Sequence, residues 1–174
     1  MRLQLLPSLI GGEGRAQLLS SYLIGERICI DAGSIGFQSD LAQQLAVRHI
    51  FITHSHSDHV ASLPTFLDVH FGLGAESDIP VTIYATETTA ASLRQDLLND
   101  RHWPDFIRIS DESGKNLMQL QVIEIGTPVE VEGFRITAVP VDHIVETVAY
   151  IIEDDSSACA IRFFLLLWSY IYGP

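Results

Sequence analysis

The chain has 174 residues, 47% of them hydrophobic and 18% charged, with a formal net charge of −12. That length suits one domain over residues 1–174, and the apolar fraction is enough to fill a core, which excludes a disordered chain. The acidic balance, with pI ≈ 4.7, disfavours a broad phosphate-backbone footprint, which needs clustered Lys and Arg, yet it leaves room for a small anionic substrate beside a bound cation.

Met1 to Pro7 carries one basic side chain and a short apolar run broken by Pro7. It reads as a first strand over residues 3–6 rather than a leader peptide. Residues 11–14, Gly-Gly-Glu-Gly, read as a flexible turn without the spacing of a phosphate-cradling loop. Residues 17–24 and 27–30 form a predicted hairpin through Gly25-Glu26. Asp31 follows, either as a plain strand-end acid or as support beneath the next loop. Ser39 or Asp40 caps a short helix through Ala46.

An apolar strand over residues 48–53 then delivers Thr53-His54-Ser55-His56-Ser57-Asp58-His59. A helix is predicted over residues 64–71, ended by Gly72 and Gly74, and it carries His70 away from the cluster. A strand over 81–85 and a helix over 86–98 follow, with Leu93, Leu97 and Leu98 on the apolar face. Residues 99–106 read as a loop whose Trp103 and Phe106 either cap the core or border a pocket. Strands are predicted over 117–125, 129–131 and 134–141, with Glu132-Gly133 as a hairpin turn. Asp142-His143 comes next, then strands over 147–152 and 157–161 joined by a turn holding Asp154 and Asp155. Cys29 and Cys159 both sit in apolar runs and read as buried free thiols in a reducing, cytoplasmic compartment. No stretch has the length of a membrane span.

The densest chemistry lies at His54, His56, Asp58 and His59. Imidazole and carboxylate at such spacing suit zinc-type ligation. His54 and His56 alternate along an extended chain and project in related directions. Asp58 and His59 fall where the chain turns, so they can serve a second position.

The pattern His-x-His-x-Asp-His after an apolar strand resembles the signature loop of the metallo-β-lactamase fold superfamily. Val141-Asp142-His143 ahead of a small-residue strand resembles its third-histidine motif. The resemblance covers residues 1–161 and implies an α/β (α+β) fold, a metallo-β-lactamase-like αββα sandwich. That sandwich is expected to be incomplete at the C-terminus. The divergent tail, residues 162–174, offers neither the metal-bridging Asp nor the last His of the family pattern. The resemblance also implies Zn²⁺, with His54, His56 and His143 at one ion and Asp58 and His59 at a second. The family holds two ions; here one zinc or none is expected, because two side chains fall short of the three that catalytic zinc sites supply.

The chemistry implied is metal-dependent hydrolysis, with a metal-activated water attacking phosphorus in line and Asp58 as the catalytic residue that orients it. The run Trp103-Pro104-Asp105-Phe106 resembles a stretch of class II cyclic-nucleotide phosphodiesterases, so a small phosphodiester such as cyclic AMP is the expected substrate. One alternative is a transfer-RNA 3′-processing nuclease, against which the acidic charge and the lack of a basic arm both count. A thioester or lactone hydrolase and a truncated, non-catalytic remnant are the others. Neither a nucleic-acid partner nor a membrane span is expected. The apolar run 163–172 is expected to favour self-association if it stays unpaired.

Overall fold

The computed structural model describes residues 1–8, 19–73, 79–114, 118–155 and 157–161. Six short strands form the first sheet: β1 (Leu3–Leu5), β2 (Tyr22–Ile24), β3 (Ile28–Ile30), β4 (His49–Phe51), β5 (Val81–Ala85) and β6 (Met118–Val122), side by side in that order. The first three run antiparallel, the later pairs parallel. Parallel neighbours need crossovers. These are α1 (Leu41–Ala46) before β4, α2 (Ser57–Val60) and α3 (Leu63–Leu73) before β5, and α4 (Glu87–Ser92) and α5 (Phe106–Ser113) before β6. A core that includes Ile50, Ile52, Phe66, Leu67 and Ile83 forms between sheet and helices.

The second sheet is antiparallel, in the order β10-β9-β8-β7, from β7 (Pro128–Val131), β8 (Phe134–Val141), β9 (Thr147–Asp154) and β10 (Ser157–Ile161). Alternation along β8 and β9 sends Ile136, Ala138, Val148, Tyr150 and Ile152 to one face. That face packs on Ile28, Ile30, Phe51 and Tyr84 of the first sheet. Phe51 stacks on Tyr84 with centroids 4.2 Å apart and meets Tyr150 edge-on at 5.4 Å. The layers are therefore helices, sheet, sheet, the mixed α/β architecture expected. A second helical layer does not occur among the described residues.

Several elements depart from expectation. α3 continues through Gly72, because a glycine costs a helix only about 1 kcal/mol against the burial of Phe66, Leu67 and His70. Asp40 rather than Ser39 caps α1, accepting from the Gln43 amide at 3.0 Å. The helix predicted over 86–98 holds through Ser92 and then widens into a looser turn, Leu93–Leu97, closed by Leu98 N donating to the Leu93 carbonyl at 2.7 Å. The predicted loop 99–106 runs into a helix, α5, which Asp105 caps through the Arg108 amide at 3.0 Å and Gly114 ends at φ +66°. Phe106 is buried in the helix-side core and Trp103 packs against it. Cys29 is a buried free thiol. The expectations for residues 11–14, for Gly74, for the Cys159 side chain and for the tail lie outside the described residues. No helix of the described residues is long and apolar enough to cross a membrane.

His70 shows what the helix layer does to a titratable group. It is 3% exposed, and its Nε2 donates to the Gln44 carbonyl at 2.9 Å. Burial, assisted by the Arg48 charge and opposed by the Gln44 bond, pulls its pKa down from 6.5 to about 4. Between those values only the unfolded chain takes up the proton, so stability present above 6.5 is drained as pH falls, by on the order of 3 kcal/mol. When urea midpoints are followed against pH, His70→Met is expected to make this acid limb shallower without abolishing it, because His54 drains stability over the same window. An unchanged limb would show that another group carries it.

Candidate metal centre

The cluster sits at the carboxyl ends of the parallel strands, where open α/β sheets place ligands. Backbone bonds hold its loop from below. Asp31 N donates to Phe51 O at 2.8 Å, Ala32 N to His59 O at 2.7 Å and Ser20 N to Asp58 O at 2.8 Å. Gly33 lies so close beneath that a Cβ there would be driven into the Asp58 carbonyl and the Ser20 backbone. Only glycine fits. Asp31 itself adopts φ +59°, a left-handed conformation that aspartate reaches more readily than most residues and that its surroundings hold in place.

Those surroundings are three donors. The fully buried Asp31 carboxylate accepts from Thr53 N at 2.8 Å, from Thr53 Oγ1 at 2.9 Å and from His59 Nδ1 at 2.6 Å. This settles its role as support beneath the loop. Because the Thr53 hydroxyl gives its proton to Asp31, it must accept from His54 Nδ1, 3.0 Å away. The network thus assigns the His54 proton to Nδ1. His54 Nε2 is left with an open lone pair, buried and without a hydrogen-bond partner.

That lone pair belongs to a triad. The ligand atoms of His54, His56 and His143 all lie within 4.8 Å of one another. The three rings meet edge-on, at centroid distances of 4.7 Å (His54–His56), 5.0 Å (His54–His143) and 4.8 Å (His56–His143). His143 Nε2 and His56 Nδ1 stand 3.2 Å apart. Among the described residues, no other group of three or more His, Cys, Asp or Glu gathers its donors in this way. A buried unpaired nitrogen facing two further imidazoles fits a transition-metal cation.

The electrostatics agree. Burial, then the neighbouring His59, His56 and His143, push the His54 pKa down to about 3. Burial, then His56 and His59, also lower His143. Both rings are held in the neutral form that ligates a metal. His59 goes the other way: burial opposes its charge, but Asp31 and Asp58 overcome that and lift it to about 9. Burial raises Asp58, yet its bond to His59 outweighs this and holds the carboxyl below the usual range.

The five predicted residues therefore share one edge but divide into two sets. His54, His56 and His143 form the triad. Asp58 and His59 form a pair, with His59 Nε2 3.3 Å from Asp58 Oδ2. The His59 ring lies 4.1 Å from that of His54. His70 is outside the site, spent on the Gln44 carbonyl. Thr53 and Tyr150 carried no assigned role in the sequence reading. Thr53 fixes the His54 tautomer, and the Tyr150 hydroxyl donates to Ile52 O at 2.9 Å, bolting β9 to the chain just before the loop. A threonine directly before a histidine-rich loop was the available signal for the first.

Residues 26–161 match the family model described as Beta-lactamase superfamily domain. Among curated proteins, the Ribonuclease Z of Ligilactobacillus salivarius is 31% identical over 113 residues, which is 62% of this chain and 31% of that protein. The Ribonuclease Z of Methanocaldococcus jannaschii is 28% identical over 115 residues, 63% of this chain and 32% of that protein. The chain thus matches about a third of the length of these relatives. Among solved structures, unliganded yeast PDE1 aligns with a TM-score of 0.66 at 14% identity, covering 91% of this chain and 62% of that one. The metallo-beta-lactamase fold protein YhfI from Bacillus subtilis gives 0.60 at 15% identity, covering 91% and 61%. At such identities the structural likeness shows the fold.

Proposed function

Because the chain belongs to the beta-lactamase superfamily, we propose that it is a zinc-dependent phosphodiester hydrolase. It holds one zinc ion tightly, at His54, His56 and His143. The observation that carries this reading is the buried, unpartnered Nε2 of His54 among two further imidazoles. A zinc ion there supplies Lewis acidity toward a phosphoryl oxygen and activates water at neutral pH.

The rest falls to the chain. Asp31 and Thr53 hold the His54 ring in one tautomer, so its free nitrogen always faces the site. His143 closes the triad from the second sheet. Asp58, its side chain 43% exposed, lies beside the triad and orients the attacking water. The second position has Asp58 and His59 alone among the described residues, short of the three ligands catalytic zinc needs. One tightly held ion is therefore expected on the described residues.

The relatives' name, Ribonuclease Z, favours an RNA phosphodiester over a cyclic nucleotide. The run that suggested the cyclic nucleotide places Phe106 in the helix-side core and Trp103 against it. A net charge of −12 argues against a broad phosphate-backbone footprint, so the reading is of contact near the scissile bond. A cytoplasmic location accords with the buried free thiol of Cys29.

Precursor transfer RNA, cyclic AMP and a thioester, offered side by side to the zinc-loaded chain, test the reading. Slow cleavage of the RNA is expected, reduced about a hundredfold in Asp58→Ala. Turnover of cyclic AMP alone would reverse the choice of substrate. A chain with zinc bound that cleaves none of the three would be a non-catalytic remnant.

A further inference from the structure

We propose that Glu146 is a positioning residue for the metal centre, its hydrogen bond to Thr86 clasping the loop that carries His143 onto the first sheet. The proposal rests on the three-histidine reading above.

His54 and His56 come from the first sheet and His143 from the second, so one ion can touch all three only if the two sheet edges keep a fixed separation. His143 lies on the link between β8 and β9, residues 142–146, and that link is poorly anchored by packing. Asp142 and Glu146 are exposed, and Ile144 is 65% exposed. The Thr147 hydroxyl bonds the Val145 carbonyl at 3.0 Å, which shapes the link locally but does not tie it to the other sheet. Val148 N to Thr53 O, 3.1 Å, fastens β9 only after the link has ended.

Glu146 makes the crossing. Thr86 Oγ1 donates to its carboxylate oxygen at 2.6 Å. Thr86 is 5% exposed and directly follows β5, the neighbour of the strand that delivers the metal loop. Its hydroxyl also accepts from the Thr89 amide at the start of α4, at 3.4 Å. The Thr89 hydroxyl stands 3.2 Å away as a second acceptor, and the proton goes to the nearer carboxylate of Glu146. At 2.6 Å the contact is at the short end for an O–H···O hydrogen bond and ties the link to the first sheet. Here it spans the same gap as the triad, three residues from His143. A glutamine in place of Glu146 keeps an oxygen that can accept this proton, whereas an alanine does not.

Zinc affinity by chelator competition on the full chain tests the clasp. Partners standing behind metal ligands are worth about ten- to a hundredfold in affinity, so Glu146→Ala is expected to weaken zinc binding about tenfold. Glu146→Gln should stay near the wild type, and Ile144→Ala on the same link should be neutral. Thr86→Val, which also strips the cap from α4, should weaken binding at least as much as Glu146→Ala, and adding Glu146→Ala to it should cost nothing further, because the bond between the two is already gone. In the zinc-free chain, amide hydrogen exchange at residues 143–145 should speed up in Glu146→Ala and not in Glu146→Gln. Unchanged zinc affinity in Glu146→Ala, or equal losses in the Ala and Gln variants, overturns the clasp and leaves the triad standing. A wild-type chain without zinc affinity overturns the triad, and the clasp with it.

Discussion

His54→Ala is expected to lower zinc affinity by more than about a hundredfold, since even the groups behind a ligand are worth about ten- to a hundredfold. The effect should exceed that of any other single histidine. His54 is the ligand whose free nitrogen is buried with no alternative partner, and its ring is already held neutral. Any rise in melting temperature that zinc confers on the wild type should vanish in the variant, because binding to the native state alone is what produces it. His70→Met, which removes an equally buried imidazole from a different layer, should keep zinc affinity intact. If His54→Ala retains wild-type affinity, the loop is a polar turn and not a metal site.

The second large effect belongs to Asp31. Asp31→Ala should cost about 3–5 kcal/mol of stability, the usual consequence of removing one partner from a buried pair. Three donors lose their acceptor together: the Thr53 amide, the Thr53 hydroxyl and His59 Nδ1. Alanine is also no better suited than aspartate to φ +59°. Asp31→Asn keeps one accepting oxygen and tolerates that backbone, so its loss should be clearly smaller. Both variants should bind zinc less tightly, since the Thr53 hydroxyl is then free to turn and the His54 tautomer is no longer enforced. Urea unfolding checks the order, wild type above Asn above Ala. An Ala variant within about 1 kcal/mol of the wild type would return Asp31 to the plain strand-end acid that the sequence also allowed.

The candidate ligand loop was legible because its pattern is local. Ligand types at alternate positions after an apolar strand leave few other uses, and His143 was readable through the likeness of Val141-Asp142-His143 to a family motif. Asp31 was not, since a lone acid after a strand looks the same whether it faces water or three buried donors. The difference lies in tertiary contacts with residues 53 and 59. The sandwich followed only from the family resemblance of the loop, whereas the inward face of Ile136, Ala138 and Ile152 is seen in the structure. α5 escaped although its signals were present, with Asp105 and Gly114 at the two ends. Trp103 and Phe106 drew the stretch toward a substrate loop. Gly72 reads as a stop because its propensity is local, whereas the packing that carries α3 past it is not. The Glu146–Thr86 bond joins residues in no shared motif, and nothing in sequence announces it.

Zinc K-edge absorption, recorded on the chain loaded with one equivalent of zinc, reads the ligand set directly. The expected spectrum has three imidazole nitrogens at about 2.0–2.1 Å with water completing a four-coordinate shell, and one imidazole fewer in His143→Ala. Fewer than three imidazoles in the wild type, or a shell of carboxylate oxygens alone, would contradict a centre built on His54, His56 and His143.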